Sequence, residues 1–272
     1  MSMQRTLVVA AAAVFLLATP RSISAQPPAT PKEPALLAVL RSDAPEAEKA
    51  ITCKHLAVYG TAAAVPDLAP LLANERLASW ARIALEAIPG EEADAALRKA
   101  AATLTGKLQI GAINSLGVRR DTGAVAMLVP LLKDADAGVA AAAAAALGSI
   151  ATPEAGVQLA GALAASQAGP QRDEVAQACV VCAERLHAAG KAAEALAIYD
   201  AVRRADVSEQ RRAEAIRGAI LVRGAEGIPL LVETLRSPEQ RIANMGLFTA
   251  RELGRGDRPD AAVARSEEHT SE

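Results

Sequence analysis

Two cysteines three positions apart, in Cys179-Val180-Val181-Cys182, are the clearest invitation to chemistry in this chain of 272 residues. A Cys-x-x-Cys pair at a helix start can cycle between dithiol and disulfide in an oxidising compartment. Here, however, Ala176 to Leu186 reads as one helix running through both thiols, with no strand before it. Ala183 rather than His follows Cys182, so the pair lacks the form of a covalent haem attachment site. A zinc site would need Cys53 and His187 to complete the ligand set. Three readings stand: thiols packed as small apolar side chains, a disulfide, or a metal. The first is favoured because free cysteine is among the most buried residue types.

Other side chains suggest recognition rather than catalysis. Trp80 is the sole tryptophan; it is either an aromatic anchor for a partner or filler among small neighbours. Asn114, Arg119 and Arg120 lie together around Gly117, as a polar ladder between structural units or as a patch for an acidic partner. Lys54, His55 and Tyr59 occupy a comparable segment upstream. Arg255-Gly256-Asp257 spells an integrin-binding tripeptide, a match short enough to recur by chance. No phosphate loop, nucleophile elbow, His-Glu-x-x-His or EF-hand loop occurs. The expectation is a chain with no catalytic, cofactor-binding or metal residues. Its candidate partner-binding residues are Lys54, His55, Tyr59, Trp80, Asn114, Arg119 and Arg120.

The segments that must position these residues are helical. Ala, Leu, Glu and Arg dominate, and all are strong helix formers. Alternating runs of β-branched residues are missing, so no sheet is expected. The 29 basic and 31 acidic residues nearly cancel, leaving a net charge of −2. That balance gives no electrostatic reason to expect DNA or an anionic membrane as partner. Between residues 26 and 264 the aromatic residues are Tyr59, Trp80, Tyr199 and Phe248, too few for a base-stacking platform.

The ends read differently from the middle. Arg5, an apolar stretch from Leu7 to Ala18, and Ser22-Ile23-Ser24-Ala25 have the three parts of a secretory signal, assigned to residues 1–25. The apolar stretch is too short to span a bilayer core of about 30 Å. Residues 26–33 follow as a Pro-rich linker. The chain is thus expected to be exported, periplasmic or extracellular, and free of the membrane once the signal is cleaved, with an uncleaved anchor as the rival reading. The last eight residues, Arg265 to Glu272, resemble the translation of a sequencing-library adapter. Asp260 to Ala264 looks like the start of another repeat, so the natural protein is expected to continue past Ala264.

Between the ends the sequence repeats. Gly60, Gly90, Gly117 and Gly148, spaced by 30, 27 and 31 residues, are each read as the left-handed residue closing a helix. After three of them comes one phrase, in Thr61-Ala62-Ala63-Ala64-Val65-Pro66-Asp67-Leu68, in Thr122-Gly123-Ala124-Val125-Ala126-Met127-Leu128, and from Thr152-Pro153-Glu154-Ala155 to Leu163. A fourth copy, from Ala225 to Leu235, follows Gly224. The threonines are N-cap candidates, and Pro153 suits a first helical position. The short Ala-Val-x-x-Leu-x-x-Leu-Leu helix, the Asp134-Ala135-Asp136 turn and the Ala-rich helix ending Ala146-Leu147-Gly148 resemble the HEAT family, its phycobilisome-lyase-type branch above all. The resemblance covers residues 35–264.

That resemblance implies an all-α fold, an α-solenoid or superhelix of about seven stacked antiparallel helix pairs. The stack is expected to be right-handed and curved, its second helices lining a concave surface with Lys54, Trp80, Asn114 and Arg119. HEAT-like repeats are assigned to residues 34–169 and 208–264, with longer tetratricopeptide-like helices at 170–207. One pair cannot bury its apolar face alone, so each is held by its neighbours. The function implied is a non-catalytic scaffold for protein partners, with no cofactor. The rival reading is an accessory repeat arm of a larger exported enzyme or electron-transfer protein; a chromophore-lyase-like activity is a weaker variant of it.

Overall fold

The computed structural model describes residues 33–256. The expected signal segment, most of the linker, Asp257 of the tripeptide and the adapter-like tail lie outside the described residues. Glu33, assigned to the linker from sequence, is already the first residue of helix α1.

Fourteen α-helices and no strands occur among the described residues, and they form seven pairs. The pairs are α1 (Glu33–Arg41) with α2 (Glu46–Tyr59), α3 (Val65–Leu68) with α4 (Ala78–Ala87), and α5 (Glu91–Thr103) with α6 (Gly106–Arg119). They continue with α7 (Val125–Leu131) and α8 (Ala137–Ile150), α9 (Pro153–Ala165) and α10 (Pro170–Ala188), α11 (Ala192–Arg204) and α12 (Glu209–Arg223), and α13 (Ile228–Leu235) and α14 (Gln240–Gly256). Second helices stack in sequence: α2 on α4, α4 on α6, α6 on α8, α8 on α10, α10 on α12 and α12 on α14. The fold is therefore an all-α solenoid of stacked helix pairs. No helix among the described residues is long and apolar enough to cross a membrane.

Local chemistry explains where the helices start. Asp136 accepts hydrogen bonds from the backbone N–H groups of Gly138 (2.8 Å) and Val139 (3.3 Å), satisfying donors at the start of α8. Thr152 accepts from Ala155 N–H at 3.1 Å, and Pro153 follows at the first helical position of α9. Thr61 caps a short 3-10 turn before α3. Before α7 the corresponding cap is Asp121 rather than Thr122; its side chain accepts from Gly123 N–H at 2.9 Å.

The core repeats with the chain. Leu56, Leu85, Leu116 and Leu147 are each fully buried, at spacings of 29, 31 and 31 residues. Burying one such leucine contributes roughly 1.5–3 kcal/mol. The glycines at similar spacing do not all do what the sequence suggested. Gly60 follows α2 in an extended conformation, and Gly90 precedes α5 with φ 110°. Gly117 and Gly148 are buried inside α6 and α8, which run on to Arg119 and Ile150. The left-handed residues closing those helices are Arg120 (φ 54°) and Ala151 (φ 55°). The reason is packing. A Cβ on Gly148 would stand 2.6 Å from the carbonyl oxygen of Ala178 in α10, so glycine is there to let two helix backbones touch.

Candidate recognition face

A position in the second helices is defined by its distance from the buried leucine. Two residues before Leu56, Leu85, Leu116 and Leu147 stand Lys54, Ile83, Asn114 and Ala145, and all four are exposed. Two residues after the first three leucines stand Val58, Ala87 and Val118, also exposed, and Ser149, half-buried, follows Leu147. These offsets put the residues on the side of each helix turned away from the leucine, so successive second helices present matching rows.

The rows mix polar residues with exposed apolar ones. Val58 is 70% exposed and Val118 63%, with Ile51, Ile83, Tyr59 and Trp80 also open to solvent on α2 and α4. Lys54 and Asn114, expected to face a partner, lie in the first row; Trp80 is on α4, and Tyr59, three residues after Leu56 on α2, lies outside both rows. His55 is half-buried on α2. Arg120 is exposed, at the left-handed turn that ends α6. Ile51, Val58, Ile83 and Val118 are exposed here although they are not among the residues expected to bind a partner. Their signal was available in their fixed phase to the repeating leucine.

Arg119 behaves differently from its neighbours. It stands three residues after Leu116, where the repeats before and after carry the buried Ile88 and Ile150. Its side chain is only 8% exposed and is paired with Asp94 of α5. Its Nη1 donates to the carbonyl oxygens of Leu85 (2.7 Å) and Ile88 (2.5 Å), and its Nη2 to that of Gly90 (3.0 Å). The guanidinium thus satisfies the open carbonyls at the end of α4 from the following repeat. This is the polar ladder, not the patch. Ser115 of α6 and Glu86 of α4 add a second rung at 2.6 Å.

Where the rows reach α8, the run of alanines lowers the surface. Ala141, Ala145 and Ser149 form the floor of a trough of about 430 Å³, walled by Asp173, Gln177 and Val181 of α10. Asp173 is itself tied down, accepting from the Ser208 backbone N–H at 2.7 Å.

The cysteines lie away from this face. Cys53, Cys179 and Cys182 are free thiols with no exposed surface. Burial pushes the Cys179 thiol up to about 12, with the neighbouring Cys182 adding to the effect. Burial likewise pushes Cys53 and Cys182 up to about 11. These are the protonated, shielded thiols of a core. Among the described residues, no three His, Cys, Asp or Glu side chains gather as a metal site.

Comparison with known proteins agrees with this architecture. Residues 105–179, from the start of α6 to the middle of α10, match the family model described as HEAT repeats. No curated protein matches the chain.

Proposed function

We propose that this protein is a non-catalytic, exported scaffold that binds a protein partner along the exposed rows of α2, α4 and α6. The observation that carries the reading is the exposure of Val58, Ile83 and Val118, each two residues from the buried leucine of its second helix, with Ile51 and Trp80 five residues before theirs. Contiguous exposed apolar surface marks interaction sites, and Trp and Tyr are enriched among the residues that dominate binding. HEAT repeats commonly serve as protein-interaction scaffolds, which supports the same reading. Export rests on the sequence of residues 1–25 alone.

The test is to isolate a partner with the full chain and then measure its affinity by calorimetry for two variants. Trp80→Ala and Ile83→Asp are each expected to weaken binding by about 30-fold, the loss of a residue worth about 2 kcal/mol. Val157→Ala, at an exposed position of α9, should leave affinity unchanged. Equal affinities for all three would remove the recognition face from the proposal.

A further inference from the structure

The α12–α14 seam, the last among the described residues, carries ion pairs that the α6–α8 and α8–α10 seams lack. At the α6–α8 and α8–α10 seams, backbones meet at Gly117 and Gly148. A continuous apolar core runs from Leu36 to Ala219. Leu230 of α13 packs against that core, and Leu231 of α13 and Ile242 of α14 are buried as well.

α14 buries Ile242 and Thr249, and charged side chains are added at the edge of this seam. Three ion pairs join α14 and the residue before it to α12: Arg212 with Glu239, Arg217 with Glu252 at 2.6 Å, and Arg241 with Glu209 at 3.7 Å. In every pair both side chains reach solvent, the more covered partner being 32%, 42% and 38% exposed respectively. On the first-helix side a cavity of about 590 Å³, lined by Arg203, Arg212, Ile216, Leu230 and Thr234, separates α11 from α13. The chain passes from α12 to α13 through Gly224, at φ 56°, with nothing within 4 Å of where a Cβ would stand.

Exposed ion pairs weaken as salt screens them, the screening length falling from about 30 Å at 0.01 M to about 3 Å at 1 M. Apolar seams have no such dependence. We infer that the α12–α14 seam is a salt-sensitive hinge, on which the α13–α14 pair opens by releasing these three ion pairs, with Gly224 as the pivot. Opening would uncover Ile216 and the arginines of the cavity while α6, α8 and α10 stay closed.

Hydrogen exchange on the full chain, followed by mass spectrometry at about 0.01 M and about 1 M sodium chloride, tests this. Amides in residues 228–256 should exchange at least about tenfold faster at the higher salt, with no change in α6, α8 or α10. Arg217→Gln combined with Glu252→Gln should raise the low-salt exchange rate in that region and shrink its salt response. Equal wild-type rates at the two concentrations would overturn the hinge. So would acceleration of every helix together, or a double variant that keeps the full salt response.

Discussion

Gly117 of α6 lies against Ala146 of α8 so closely that a Cβ on the glycine would stand 2.9 Å from the Ala146 Cα. The same relationship recurs one repeat later, where Gly148 meets Ala178. The middle of the solenoid is therefore held by backbone-to-backbone contact, and side-chain volume at these two points is its limiting quantity.

This sets two glycine substitutions against each other. Gly148→Ala should lower stability by about 1–3 kcal/mol, because overpacking outweighs the gain in helix propensity. Gly161→Ala, in α9 with nothing within 4 Å of the new methyl, should raise it by about 0.8–1.0 kcal/mol. Urea denaturation of the two variants beside the parent checks both signs.

Arg119→Ala should cost about 3 kcal/mol, since it strands Asp94 and the carbonyls at the end of α4. Arg119→Lys should recover only part, because an ammonium cannot fork to several carbonyls and a carboxylate at once. Denaturation midpoints give the magnitudes. Exchange at α4 should quicken most if the capping role is correct.

The fold starts of α8 and α9 rest on single side chains. Asp136→Ala and Thr152→Ala should each lose about 1 kcal/mol. Losing the cap of either helix should show in thermal unfolding, with Glu154→Ala as a control that leaves both caps in place.

The three buried thiols give a pH dependence with a definite sign. In the unfolded chain a thiol loses its proton near pH 8.5, whereas in the fold burial holds Cys53 and Cys182 protonated to about 11 and Cys179 to about 12. Above about pH 8.5 the unfolded state binds fewer protons, so stability falls as pH rises. Below it the contribution is fully present. Urea midpoints at about pH 8 and about pH 10 should differ less in the Cys53→Ala, Cys179→Ala, Cys182→Ala variant. Alkylation should be slow in the native protein and label all three thiols in denaturant.

Asp200 supplies the acid counterpart. Burial pushes its carboxyl up, but hydrogen bonds from Arg203 and Arg223 outweigh that and hold it below its usual value. Its contribution is present above the ordinary aspartate range and lost as pH falls through the lowered value. Asp200→Asn should therefore flatten the acid limb of the stability profile.

The sequence by itself determined the helices, their pairing and the identity of the residues that start several of them. Those features are local: a period of 3.6, a cap three residues from its donor, a proline at a first position. It also carried the repeat, although the leucines mark it more faithfully than the glycines do. Tertiary structure decided what each repeated position is used for. Gly117 and Gly148 read as helix ends from their spacing, but their purpose lies in contact with Ala146 and Ala178, about 30 residues away in sequence. Arg119 and Arg120 are adjacent and chemically identical; one is spent on the carbonyls of α4 and the other faces water. Ile83 and Ile88 are likewise the same residue type on one stretch of chain, yet Ile83 is 45% exposed and Ile88 is 1% exposed. Which side of a helix is covered depends on the neighbouring pairs that stack against it, and no window of sequence the length of one repeat contains them.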